Sequence, residues 1–267
     1  MNLNGNLNRK LVLLAPSAQR IPAVFRRPEV DDRQHRSLLD QMQRLRGQVY
    51  LQDGAIHASA LIDGRHFSEL DGLSWHLLVV DRDGRVRGGA RFHEHSAQVV
   101  FSDLNASQCP LASHPAWANH HRIALEAEVA FARDLGLPCA ELGGWALDDE
   151  LRGTSEAVRI ALATYAFWQT MGGAICLSTA TQRNCSASIL RRIGGRPLTY
   201  NQRELPSYFD PKYNCQMELL RFYSWAPNPR YATWVQQLGL EIAQMSVFAA
   251  SCSSAWARPQ RHFAASA

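Results

Sequence analysis

The chain has 267 residues, 46% of them apolar and 19% charged, with a formal charge of +4. That length and apolar content bury a sizeable core in one large domain or two small ones, which excludes a disordered chain, a collagen-like repeat and a small disulfide scaffold. The charge is too small to argue for nucleic acid, and no apolar run approaches the roughly 20 residues that span a bilayer.

Residues 1–9 read as frayed. Their charges precede an apolar run of only four residues, 11–14, too short for a secretory signal, so a cytoplasmic protein with no membrane span is the expectation. The basic residues are 26 Arg and only two Lys, Lys10 and Lys212. Six cysteines, Cys109, Cys139, Cys176, Cys185, Cys215 and Cys252, form no CxxC pair and read as free buried thiols in a reducing compartment.

The apolar run 11–16 is a candidate first strand, followed by a loop with Pro16, Pro22 and Pro28. Over 33–50, Leu38, Leu39, Met42, Leu45 and Val49 recur at spacings of three and four, which predicts a helix. A polar, irregular stretch runs to about Leu73. A hairpin follows, with strands over 75–81 and 85–93 joined by Asp83-Gly84. After a loop over 96–117 comes a helix over 118–135, with Leu125, Val129, Ala132 and Leu135 on one face and Gly136 as its stop.

Residues 139–147 form a strand with two central glycines, the mark of a bulge or a close backbone approach. An acidic loop, 148–150, leads to a helix over 154–170 whose apolar face carries Val158, Ala161, Leu162 and Tyr165. Then come a short buried strand at 174–180, a helix at 184–193 that stops at Gly194-Gly195, strands near 197–200 and 215–222, and a further helix within 228–252. The order fits an α/β fold with one mixed sheet covered by helices, in which 139–179 is a parallel crossover unit. It divides the chain into an N-terminal segment (1–32), a main domain (33–223) with an inserted helix, and a C-terminal helical extension (224–267).

The informative block is 141–198. A strand with a Gly143-Gly144 irregularity ends in an Arg152-Gly153-Thr154 turn, where a helix begins. Exposed N–H groups at such a start bind anions, and the small residues Gly153, Thr154, Ser155 and Ala157 let a phosphate chain approach the backbone. Glu156 in the first helical turn competes with a bound anion for the helix's positive end. An irregular strand edge also frees backbone groups to pair with the amides of a pantetheine arm.

This block resembles the GNAT superfamily of N-acyltransferases. Arg152-Gly153-Thr154-Ser155-Glu156-Ala157 is similar to the family's pyrophosphate loop, with the middle glycine replaced. Asn184 opens a helix ending at Arg192-Ile193-Gly194, similar to the family's Asn…Tyr-x-x-x-Gly pattern, with Leu190 in the Tyr position. In many members that Tyr protonates the leaving thiolate, so this chain must protonate it otherwise or let it leave unaided. Further landmarks, Arg46-x-x-Val49-Tyr50, 75–80, Gly88-Gly89-Ala90-Arg91 and Glu141, occur in the order seen in the acyl-carrier-protein-dependent branch: acyl-homoserine-lactone synthases and long-chain N-acyl amino acid synthases. ELGGWALDDELRG looks more like the latter.

The resemblance implies a GNAT-like mixed central sheet and transfer of a fatty acyl group from an acyl carrier protein thioester to the amine of an amino acid. It implies Glu141 as base or amine-positioning group and Arg91 as clamp for the acceptor carboxylate. Gly143, Gly144, Trp145, Arg152, Gly153, Thr154, Ser155 and Asn184 would hold the donor, as acyl-phosphopantetheine or acyl-CoA, in a gap between two strands just ahead of Arg152. Arg46 and Tyr50 would face the acceptor. Arg191 and Arg192, with Arg183, Arg196 and Arg203 nearby, would meet an acidic carrier. The alternatives are a lactone synthase using S-adenosylmethionine and a catalytically degenerate GNAT-like binding protein. His93-Glu94-His95 lacks a third ligand, so no metal and no permanently bound cofactor is expected. No nucleophile motif such as GxSxG is present.

Overall fold

The computed structural model describes residues 9–17 and 19–251. In chain order its elements are β1 (Arg9–Leu14), β2 (Arg27–Val30), α1 (Asp32–Gln52), β3 (Trp75–Asp81), β4 (Val86–Glu94), α2 (Ala118–Asp134), β5 (Cys139–Leu147), α3 (Ser155–Thr170), β6 (Ile175–Thr181), α4 (Ser186–Ile193), β7 (Arg196–Pro197), β8 (Thr199–Tyr200), β9 (Arg203–Glu204), β10 (Tyr208–Asp210), β11 (Cys215–Tyr223), α5 (Ala232–Gln244) and β12 (Ser246–Ala249). The main sheet runs β10-β11-β6-β5-β4-β3-β1-β12-β2, with β7 against β11. It is a GNAT-like mixed sheet covered on both faces.

Side-chain alternation along the strands sorts the core into two layers. Val12, Leu14, Leu78 and Val80 face α1, and Cys139, Ile175 and Leu177 face α2. Leu11, Leu13, Leu77, Val79, Ala140 and Cys176 face the other way, onto α3, α4 and α5. Six of the seven residues of β3 are buried, as expected of a strand covered on both sides. The Asp31 side chain caps α1 by accepting from the Gln34 N–H at 2.9 Å. Gly89 lets α1 press onto the sheet: a Cβ there would lie 2.8 Å from the Leu77 carbonyl and 3.1 Å from the Met42 sulfur.

Four strands lie outside the elements read from the sequence, among them β9, which pairs only with β8. β2 and β12 form the far edge, and β10 the near one. The tail therefore does more than add a helix: β12 pairs parallel with both β1 and β2, which places the C-terminal strand inside the sheet. The loop over 96–117 holds three short 3₁₀ turns at 101–103, 105–108 and 110–113. Cys109, Cys139, Cys176 and Cys215 are free and buried, but Cys185 is exposed, because it sits with φ +59° at the N-cap of α4. Residues 1–8 and Cys252 lie outside the described residues. Among the described residues no helix is long and apolar enough to cross a membrane.

Candidate active site

Parallel strands β5 and β6 pair over four positions only, from Cys139 opposite Ile175 to Leu142 opposite Ser178. Ser178 Oγ donates to the Leu142 carbonyl at 3.2 Å at the apex. Beyond that point β5 stays with β4 and β6 stays with β11, and the two part. The register between β4 and β5 slips at Gly144-Trp145, so that Gly89 faces Ala146 while Arg91 faces Gly143. Gly144 makes the bulge possible: its φ is +62°, and a Cβ would lie 3.2 Å from Arg91 Cβ and 3.3 Å from Arg46 Nη1. The gap expected beside Gly143-Gly144, just ahead of Arg152, is present.

Glu141, Gly143, Arg91 and His93 share the face covered by α1 and α2. Trp145 points to the other face and packs against the core around α3. On the α1 side lies a buried ionic cluster. Asp71, 1% exposed, receives a bidentate grip from Arg46, with Nη1 to Oδ1 at 2.9 Å and Nη2 to Oδ2 at 2.6 Å. It also accepts from Gln43 Nε2 and the Ser68 N–H, each at 3.0 Å, and from Arg91 Nη1 at 3.3 Å. Burial alone would raise a carboxyl pKa, but the bonds and charge of Arg46, with Arg91 beside it, hold Asp71 well below the usual carboxylate range.

Burial keeps His66 and His76 neutral, each pushed down to about 4, with the Arg46 charge adding to it. Two arginines against one aspartate leave the cluster a net positive charge. Arg91 Nη1 is held by Ser68 Oγ at 2.7 Å, whereas its Nε is buried without a partner among the described residues. Its Nη2 lies 3.7 Å from the Cβ position of Gly143. The Nε–Nη2 edge of the guanidinium, away from Ser68, thus carries donors without a partner among the described residues and lies beside Gly143. Tyr50 rests near His66 and Tyr213, at centroid distances of 5.3 and 6.3 Å, and burial pushes its phenol up to about 12.

Glu141 is 8% exposed and accepts four hydrogen bonds: from His95 Nε2, the Asn105 N–H and Asn105 Nδ2, each at 2.9 Å, and from the Ala106 N–H at 2.8 Å. Burial would raise its pKa, but these donors lower it. The strand carboxylate, expected as base or amine-positioning group, holds the start of the 105–108 turn. Next to it, His93 is half-buried. Its Nδ1 meets Ser74 Oγ at 3.3 Å, and burial, with His95 and Arg91 nearby, lowers its pKa.

At the mouth of the gap, Gly153, Thr154 and Ser155 are exposed at the start of α3, and the Thr154 side chain caps the helix by accepting from the Glu156 N–H at 3.2 Å. Glu156 turns inward and pairs with Arg159 at 3.4 Å, so it does not face the helix's leading end. Arg152 is held bidentate by Asp53, at 2.8 and 3.0 Å, and Asn184 Nδ2 meets the same carboxylate at 2.8 Å. Asn184 precedes α4 rather than opening it. Leu190 is buried in the core beside α3. Arg191 and Arg192 lie in the last turn of α4, at the end away from Asn184. Arg191 pairs with Glu218 at 3.0 Å, and Arg192 is exposed.

Asp71, Ser68, Asp53 and Tyr213 belong to the site and were not singled out in the sequence. Asp71 had one signal: an acid set just ahead of the strongly apolar strand β3. Asp53-Gly54 has only the pattern of a helix end.

A mixed sheet with a bulged strand parting from its parallel neighbour ahead of a helix start defines a GNAT-like fold. No protein-family profile matches the chain, and no curated protein matches it in sequence. Solved structures match in fold. A CoA-dependent acyl-homoserine lactone synthase, BjaI, with SAM and isopentyl-CoA, has 16% identity and a TM-score of 0.53 over 91% of this chain and 94% of that one. The same synthase with MTA has 17% identity and a TM-score of 0.51 over 91% and 94%. FeeM, an N-acyl amino acid synthase from uncultured soil microbes, has 16% identity and a TM-score of 0.45 over 69% and 84%.

Proposed function

We propose that the protein is an N-acyltransferase that moves a fatty acyl group from the thioester of acyl carrier protein to the amine of an amino acid. One observation carries the reading: Arg91 presents its Nε–Nη2 edge beside Gly143, where β5 leaves β6. The edge fits a carboxylate, and the net positive charge of the Arg46–Asp71–Arg91 cluster favours an anionic acceptor. The donor's amide-bearing arm lies in the gap and pairs with the backbone of 143–147, whose β6 side lacks a partner strand. N–H groups at the bulge polarise the thioester carbonyl. The acceptor amine attacks that carbon, the C–N bond forms, the C–S bond breaks, and the leaving thiolate takes up the proton that the attacking nitrogen sheds as it becomes an amide.

An α-ammonium must first lose a proton. His93 is the group on hand: burial, with His95 and Arg91 nearby, lowers its pKa, so its ring is neutral at physiological pH. Glu141 acts through position, by holding His95 and the 105–108 turn.

A second reading has support in the overlap with the lactone synthase over 91% of the chain. In it, the acceptor is S-adenosylmethionine, which also carries an α-carboxylate for Arg91. The test is to incubate the protein with acyl-loaded carrier protein or acyl-CoA, together with amino acids or S-adenosylmethionine, and to identify products by mass spectrometry. N-acyl amino acids are expected. An acyl-homoserine lactone selects the second reading, and no thioester consumption with any pair of substrates refutes both.

A further inference from the structure

Two turns bond directly to Asp53, and a third is tied to them through Arg183. Asp53 caps the C-terminal end of α1, where Gly54 with φ +65° turns the chain away. Its carboxylate takes both ends of the Arg152 guanidinium from the β5–α3 turn and the amide of Asn184 from the β6–α4 turn. Its carbonyl accepts from Arg183 Nη1 at 2.6 Å, and Arg183 Nη2 reaches the Asn214 carbonyl in the β10–β11 turn. The neighbouring Gln52 adds a bond from its Nε2 to Asp149 at 2.9 Å. The β5–α3 and β6–α4 turns follow the ends of the two strands that part. One carboxylate therefore straddles the mouth of the gap and neutralises the arginine there.

We propose that Asp53 occupies the site of the donor's phosphate, and that a donor with a single phosphate at the end of its pantetheine arm binds by displacing Asp53 from Arg152 and Asn184. This rests on the reading of the gap as the donor site. A guanidinium fork accepts a carboxylate or a phosphate with the same geometry, so the exchange is one anion for one anion. The side chains at the mouth supply the Arg152 fork, one amide and Arg183, which is engaged by two carbonyls, and the acids nearby are Asp148, Asp149 and Glu150, of which Asp148 and Glu150 are engaged by Arg87 and Asp149 by Arg152. A pyrophosphate with a further phosphate finds no guanidinium there that is not already engaged. Displacement also frees the end of α1, the helix that carries Arg46 and Tyr50, so the donor's arrival loosens the acceptor side.

The test measures binding of 4′-phosphopantetheine, pantetheine and coenzyme A to the wild-type protein and to Asp53→Asn by calorimetry. Loss of the competing charge is expected to tighten phosphopantetheine by about tenfold and to leave pantetheine unchanged, with coenzyme A no tighter than phosphopantetheine on either form. Hydrogen exchange on the wild-type protein needs no variant: saturating phosphopantetheine is expected to speed exchange at 53–57. If phosphopantetheine binds the wild type while Asp53→Asn binds it no better, or 53–57 keep their protection, Asp53 is not displaced and this inference fails while the donor-site reading stands. Tighter binding of coenzyme A than of phosphopantetheine overturns the single-phosphate donor. If neither phosphopantetheine nor pantetheine binds either form, the donor-site reading fails and takes this inference with it.

Discussion

Arg46 on α1 and Asp71 ahead of β3 face each other as a bidentate pair, and each is 1% exposed. Removing one partner of such a pair leaves a buried charge without its counter-charge. Asp71→Asn is expected to cost about 3–5 kcal/mol in urea unfolding. Replacing both, as Arg46→Met with Asp71→Ala, is expected to cost less than the sum of the single changes. Additive losses would mean that the pair is not coupled.

Stability is expected to fall in two stages as pH drops. His66 and His76 have folded pKa values pushed down to about 4, below the unfolded value of about 6.5. Between those values the unfolded chain binds protons that the folded chain does not, so stability declines with falling pH. Asp71 and Glu141 are lowered in the folded state. Their stabilisation is complete above the unfolded carboxyl range, about 4, and is lost below it. Thermal midpoints from pH 8 to 3 read both stages, and a flat profile between 6.5 and 4 would contradict the assignment of the histidines.

Arg91→Lys keeps the charge and removes the fork. The acceptor KM is expected to rise by about tenfold or more, the worth of a charged hydrogen bond, with a smaller change in kcat. Equal KM for the variant and the wild type would place the acceptor carboxylate elsewhere.

His93→Gln and Glu141→Gln separate the proton acceptor from the anchor. The first is expected to abolish the limb of the pH–rate profile that reports a neutral imidazole, with the fold intact. The second sets an amide NH₂ among four donors, with an expected stability loss of about 1–3 kcal/mol and little change in rate per folded molecule. A collapsed kcat with a displaced pH optimum in Glu141→Gln would make Glu141 the base.

Gly144→Val puts a branched side chain at φ +62°, against Arg91 Cβ and Arg46 Nη1. The bulge is expected to relax toward a regular strand and binding of a pantetheine thioester to be lost, read by calorimetry beside far-UV circular dichroism of the folded variant. Undiminished binding would separate the bulge from the donor site.

The helices and central strands were legible because their periodicity is local: the 3–4 spacing along α1 and the Asp-Gly hairpin of β3–β4 each lie within one window of sequence. The strand gap was legible too, since Gly143-Gly144 interrupts a strand pattern. The edge strands were not. β2 has four exposed residues and includes Pro28, and β12 is four residues long, so neither carries a pattern of its own. Both exist because distant partners complete them. The same holds for Asp71 and Asp53, whose roles come from arginines 25 and 99 positions away. Glu141 was found by its place on a strand, but its four donors come from a loop with no motif.

The position of β12 between β1 and β2 has a further consequence for how the molecule assembles. The two strands synthesised earliest on that side meet only through the last one, so this margin stays unfinished until some 200 intervening residues have emerged and closed the longest loop in the sheet. Until then β1 offers an open, apolar flank to any passing strand. Nascent chains halted before α5 should therefore be the ones that clump.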